Sequence, residues 1–247
     1  MPMDHRLALD ELSWTDVAAH IARDARLLLP IGALEQHGPH LPLGANALIA
    51  GRITYDLSLE FGVLRAPVIA YGVNVASERA YAGTATVRAK TLHRLINELL
   101  ATWESQGFEE FILITAHRHE PHLDALTTLA TESARVRVVS VWDVDVSALL
   151  EAQPGPLHAG EAETSLLLHL FPDRVRMDRA RDFDLPADQF ERYLHGRLPA
   201  PPPGGAGVVG RPTAATAEKG KRIYDHLVRT IRRCVFRSAL PDDSDAL

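Results

Sequence analysis

The chain has 247 residues, 46% of them hydrophobic and 23% charged, which is volume enough for one sizeable hydrophobic core. A net charge of -6 with scattered Lys and Arg argues against nucleic-acid partners. No apolar stretch approaches the ~20 residues of a bilayer-spanning helix, and nothing near the N-terminus has the pattern of a cleaved leader, so the expected location is the cytoplasm. Cys234 is the lone cysteine and cannot form an internal disulfide. Its apolar helical setting predicts a buried or half-buried thiol without chemistry of its own.

In chain order, Arg26 to Ile31 is a short apolar run ended by Gly32, as expected of a strand buried on both faces of a parallel sheet. Similar runs at Val63 to Ala70, Phe111 to Thr115 and Val136 to Trp142 predict three further strands. Segments with helical periodicity lie between them, at Ala45 to Phe61, Thr91 to Gln106 and Pro121 to Ala134. Strand and helix therefore alternate, which implies right-handed crossovers and a mainly parallel sheet covered on both faces. The pattern weakens after Leu170: Asp173 to Gly196 is polar and mixed, and Pro199 to Gly210 is rich in proline and glycine. That stretch is expected to be an ordered loop or lid, with a mobile linker as the alternative. A helix over Ala214 to Arg237 closes a single domain spanning 1–240. The solvated face of that helix would carry Arg229, Arg232, Arg233 and Arg237, and the acidic end, 241–247, is expected to fray.

Three polar clusters carry the candidate chemistry, in a chain unusually rich in histidine. In open parallel sheets ligands bind beyond the carboxyl ends of the strands, and two of the clusters begin immediately after an apolar run. Glu35, His37 and His40 sit on a turn rich in Gly and Pro, and carboxylate with imidazole is a natural ligand set for Zn²⁺ or Mn²⁺. His117, Arg118, His119, Glu120 and His122 follow the most apolar run, where ionisable groups need a metal, a partner or water. His158, Glu161, Glu163 and Thr164 precede the apolar helix residues Leu166 to Leu170. There a carboxylate can coordinate and His158 can move protons. Each cluster has a plainer reading: a surface loop with two histidines, solvated residues His119, Glu120 and His122 leading into a helix, and Glu161 and Glu163 answering a helix dipole.

The segment IGALEQHGPHLPLGANALIA, with 66–87, 158–168 and 207–220 in the same order, resembles the creatininase family over nearly the whole chain. The resemblance implies a three-layer α/β/α fold, metal-dependent hydrolysis of a C–N bond in a small amide, and a homo-oligomer, often a hexamer built as a trimer of dimers. It implies Zn²⁺, Mn²⁺ or Fe²⁺, one or two per chain, with Glu35 and His117 on one metal, His37 on the other, and His158 and Glu163 as catalytic residues. Four departures stand out. Asn46 replaces the aspartate that bridges the metals, which should weaken a paired site. The block at Thr115 to Glu120 has lost the family's asparagines and glycines, and His119 can take the place of a glutamate ligand. Glu78 and Arg79 stand where many members have Glu-His, and the tryptophans that clamp creatinine have no counterparts near Ala148 and Pro154. Glu78, Arg79 and Arg118 are therefore the expected substrate-binding residues, with the two arginines favouring an anionic ligand other than creatinine. The alternative is a catalytically impaired member that binds a metabolite or a protein partner.

Overall fold

A computed structural model describes residues 6–236, so the expected frayed end at 241–247 and Arg237 lie outside the described residues. The elements alternate as α1 (Trp14–Ile21), β1 (Arg26–Ile31), α2 (Ala45–Phe61), β2 (Leu64–Arg65), α3 (Ala89–Ser105), β3 (Glu110–Thr115), α4 (Glu120–Thr127), β4 (Arg135–Ser140), α5 (Glu161–Leu170), α6 (Ala187–Leu194) and α7 (Ala217–Val235). The sheet is wholly parallel in the order β2-β1-β3-β4.

Alternation along the strands sorts their side chains into two layers of core. Leu28, Ile112 and Ile114 face Ile49 and Ile53 of α2, Leu166 of α5 and Ile223 and Leu227 of α7. Leu27, Leu29, Phe111 and Leu113 face Leu92 and Ile96 of α3 and Leu126 of α4, with Val17 and Ile21 of α1 packed at the margin. Helices thus cover both faces, giving the three-layer α/β/α architecture. Each central strand is apolar at successive positions because both of its faces are buried.

The register places the functional loops. β1 pairs with β3 from Arg26 opposite Glu110 to Ile31 opposite Thr115, so both strands end on the same line. The loops that begin at Gly32 and Ala116 therefore leave the sheet side by side. At the first of these, a Cβ on Gly32 would lie 2.5 Å from the Ala47 backbone. The missing side chain lets α2 start hard against the end of β1, bringing Asn46 to the rim.

Several boundaries differ from the sequence expectation, each for a local reason. The expected strand at Val63 to Ala70 pairs only over Leu64–Arg65, with one further bridge at Ile69. It is an edge, and Pro67 has no N–H to give to a ladder. The helix expected to Ala134 stops at Thr127, and the strand expected to Trp142 turns into a 3₁₀ helix at Val141. α1 and α6 have no counterpart in the expected elements; both are short, and α6 lies in the polar stretch after Leu170. Cys234 is exposed, because α7 turns Ile231 and Val235 inward and leaves 233 and 234 on the outer face.

Candidate functional site

Glu35 is the hub. It lies 1% exposed on the loop after β1, and its Oε2 accepts a hydrogen bond from Asn46 Nδ2 at 2.8 Å. His117 Nδ1 is 3.1 Å from that oxygen, His37 Nε2 is 3.9 Å from it, and His119 Nδ1 is 3.4 Å from Oε1. Two groups of donors result, Glu35 with His117 and His119, and Glu35 with His37 and His158, each within the 4.8 Å span that one ion could bridge. His37 Nε2 also lies 3.8 Å from Glu163 Oε2.

The backbone sets which nitrogen each ring presents. His37 Nδ1–H donates to the Glu35 carbonyl at 2.9 Å, leaving Nε2 with its lone pair. His117 Nε2–H donates to the Val73 carbonyl at 2.9 Å, leaving Nδ1 toward Glu35. Such carbonyl partners hold an imidazole in one tautomer and one orientation, as they do for metal-ligating histidines. His37 Nε2, His119 Nδ1 and Glu35 Oε1 are all buried without a hydrogen-bond partner. Three orphaned polar atoms gathered around one carboxylate, His119 on one side and His37 on the other, are costly unless a cation satisfies them, and their chemistry fits a divalent metal.

Burial opposes ionisation of Glu35, yet His117, His158 and His119 outweigh it and hold the carboxyl well below its ordinary range. Burial, partly offset by Glu35, holds His119 down at about 3. His37 is lowered by burial and by His158, so both rings keep free lone pairs at neutral pH. Burial also works against the charge on His158, but Glu35, Glu78 and Glu163 together raise it.

The cavity at this point is about 20 Å³, room for roughly one water or one ion. Glu35, Asn46, His117, His119, His158 and Glu163 form its floor and walls; Arg118, Pro156, Leu157 and Tyr193 close it. Glu163, in the first turn of α5, accepts the Ala159 N–H at 2.6 Å. Ala159 itself has φ of 52°, a left-handed conformation that few non-glycine residues adopt, directly beside His158.

The description "Creatininase: Creatinine amidohydrolase" matches residues 10–235. The chain belongs to the creatininase family. It is 33% identical over 230 residues to a mycofactocin precursor peptide peptidase of Mycobacterium ulcerans, covering 86% of this chain and 84% of that protein. It is 27% identical to a creatinine amidohydrolase of Pseudomonas putida, covering 93% and 96%. Among solved structures it superposes on a tryptophan-to-phenylalanine creatininase variant with a TM-score of 0.79 at 26% identity, covering 95% and 99%. A manganese form of creatininase gives 0.78 at 25% identity, with 95% and 99% covered. The protein is thus a hydrolase of the creatininase family.

Of the residues expected from sequence, Glu35, His37, Asn46, His117, His119, His158 and Glu163 come together. Arg118 closes the cavity mouth, its Nη1 donating to the Pro156 carbonyl. Arg79 does not reach the cavity: it is exposed, and its guanidinium donates to the Asn74 carbonyl at 3.2 Å. Glu78 lies behind His158, 4.0 Å from Nε2, and accepts from Gln36, so it backs the site without lining it. The plainer reading of the second cluster holds only for Glu120, since His119 and His122 are both buried. His122 Nδ1 accepts the Val73 N–H at 3.3 Å, steadying the residue whose carbonyl holds His117. His40 is tied to Thr164 Oγ1 at 2.9 Å.

Two further residues were not singled out from sequence. Gln36 Nε2 donates to Glu78 and to the Gly207 carbonyl, and the Gln36 carbonyl accepts from His158 Nε2 at 2.8 Å. A Cβ on Gly207, at φ of 83°, would fall on the Gln36 amide, so the glycine-rich segment must lack a side chain there. The only signal for Gln36 was its place between Glu35 and His37. Tyr193 gave none, because it comes from a helix hidden in polar sequence.

Proposed function

We propose that this chain is a metal-dependent hydrolase that opens a C–N bond in a small amide, cyclic or linear. The orphaned pair Glu35 Oε1 and His119 Nδ1, buried 3.4 Å apart beside His117, carries this reading. Glu35, His117 and His119 would hold one divalent ion, with Glu35 and His37 offering a weaker second position in which Asn46 provides a neutral amide. When bound, Zn²⁺, Mn²⁺ or Fe²⁺ supplies Lewis acidity toward the amide carbonyl and toward water.

The chain's own residues do the rest. His158 has Nε2 tied to the Gln36 carbonyl, so Nδ1 is the atom that exchanges a proton with the leaving nitrogen. Gln36 and Glu78 fix that ring from behind, and the three carboxylates around it favour its protonated form. Glu163 is fixed by the Ala159 N–H and borders the position of the reacting carbon. Arg118 at the mouth offers planar donors for an anionic group of the substrate. The relatives act on a peptide precursor and on creatinine, so short peptides belong in the substrate panel beside cyclic amides.

No helix among the described residues is long and apolar enough to cross a membrane, in keeping with a cytoplasmic site of action. The homo-oligomer, a hexamer, is part of the same reading and rests on the family resemblance.

Asn46 favours one other reading, a member that keeps the fold and binds a metabolite without turning it over. Elemental analysis of untagged protein, paired with an amine-release screen over small cyclic amides and short peptides, separates the two. The hydrolase shows at least one metal per chain and a chelator-sensitive release restored by metal. Metal without turnover of any panel member supports the binding protein, and no metal after supplemented growth refutes both metal readings.

A further inference from the structure

Phe183 and Gly210 exchange both backbone hydrogen bonds, at 2.9 and 2.8 Å, and so pin the ends of a loop over 184–209. Inside it Tyr193, Leu198 and Val209 form a small apolar cluster, with Leu185 and Phe190 against it, whereas Val208, 1% exposed, belongs to the core that α2, α5 and α7 build on the sheet. Asp184 pairs with Arg211, and Gly207 to Val209 are anchored on the body, so that the stretch between them, 185–206, meets the body through few polar ties. Val209 N–H donates to the His158 carbonyl at 2.9 Å, the Gly207 carbonyl accepts from Gln36, and exposed His195 lies 3.3 Å from Glu120. An element with its own small core and few ties to the body can open without disturbing the main cores.

Tyr193 is what this loop sends down to the site. Its ring sits edge-on to His119 with centroids 6.4 Å apart, and the same distance from His158. It lines the cavity, is 5% exposed, and its hydroxyl is buried without a hydrogen-bond partner. A buried phenol elsewhere in a fold finds an acceptor, so an orphaned one facing a reaction cavity is built for a ligand. A phenol hydroxyl is a hydrogen-bond donor. The space beneath the ring is tight, about 20 Å³ for the centre of a water-sized molecule.

We infer that 185–206 is a lid that lifts to admit substrate and, on closing, brings the Tyr193 hydroxyl onto an oxygen of the bound ligand as a hydrogen-bond donor. This rests on the proposed metal site, since the ligand oxygen is the one held beside Glu35 and His119. The donor acts at the oxygen of the scissile group, opposite the proton that His158 handles. Closing the lid also expels solvent, which strengthens the hydrogen bond.

The test uses acetohydroxamate as the probe, titrated calorimetrically into Zn²⁺-loaded protein and its Tyr193→Phe variant after metal content is measured in both. The isosteric variant should hold the same metal per chain, which also certifies its folding, and bind the probe about tenfold more weakly, the worth of one hydrogen bond to a charged oxygen. Trypsin cleavage at Arg192 and Arg197, both exposed on the lid, should slow when the probe binds the parent protein. Equal probe affinity at equal metal content overturns the role of Tyr193 and leaves the metal site standing. Absence of metal from the parent protein overturns the proposed function and this inference together. Tyrosine-dependent probe binding in a protein that hydrolyses no amide supports the lid and removes only the hydrolase.

Discussion

Asn46→Asp is the most informative single change, because it restores a carboxylate at the point where the chain departs from its family. In the metal-free protein, Asn46 Nδ2 donates to Glu35 Oε2 at 2.8 Å and lies 3.1 Å from His117 Nδ1. An aspartate there removes the donor and sets two buried carboxylates against each other. At that separation they cannot both stay charged, so one takes up a proton. Protonating an ordinary carboxyl at pH 7 costs about 1.36 kcal/mol for each of roughly three pH units, which caps the destabilisation at about 4 kcal/mol. For a domain of this size that is a fall in Tm of about 8–16 °C. A metal ion inverts the sign, since the new carboxylate becomes a ligand and the repulsion becomes attraction. Thermal unfolding of parent and variant, each with chelator and with excess Zn²⁺, should therefore show a variant that is less stable without metal and equal or more stable with it. Metal content should rise toward two per chain. A variant destabilised equally in both conditions, with metal content unchanged, refutes the assignment of the Glu35 cluster as a metal site.

Three further changes probe other parts of the structure. His122→Leu removes the acceptor that steadies Val73 and should weaken Zn²⁺ binding 10–100-fold in competition with a chromophoric chelator; an unchanged affinity means that His117 needs no such support. Lys219→Met strips the buried cation from fully buried Glu161, whose carboxylate still accepts the Glu151 and Ala152 N–H groups at 2.9 Å. Breaking that pair should cost about 3 kcal/mol in urea unfolding, and a loss under about 1 kcal/mol contradicts it. Glu104 accepts backbone N–H groups of Ala134, Ser133 and Glu132, which hold its carboxyl down at about 2. A depressed folded-state pKa stabilises above the ordinary value of 4.5, and that stability is lost as pH falls from there toward about 2. The stability gap between the parent protein and Glu104→Gln should be constant from pH 7 to 5 and shrink below about 4.5; a gap independent of pH rules out the carboxylate as its source.

How much was legible in the sequence varies with the range of the interaction involved. The strands over 26–31 and 110–115 and the helix over 45–61 could be read because burial on both faces, or on one helical stripe, prints directly into local hydrophobic order. Three histidine- and carboxylate-bearing clusters were equally visible, since two of them start where an apolar run stops, and parallel strands bring such ends to one rim. Edge elements were legible less well: β2 pairs at only two positions, because an edge strand needs fewer partners than its composition suggests.

Only the tertiary structure decided what the clusters do to one another. It turned His119 and His122 inward, set Glu78 behind His158, left Arg79 outside, and placed Gln36 as the brace between Glu78, His158 and Gly207. Those outcomes depend on side-chain directions set by contacts across 40 to 170 positions of chain, such as Gln36 with Gly207, which no local pattern encodes. Tyr193 is the extreme case. Its helix is polar in sequence, and the pairing of 183 with 210 helps bring the Tyr193 ring onto the site. The sequence by itself determined the layers and the chemistry available at the rim; the packing of distant segments decided which of those groups face one cavity, because orientation, unlike hydrophobicity, is not a property of a residue alone.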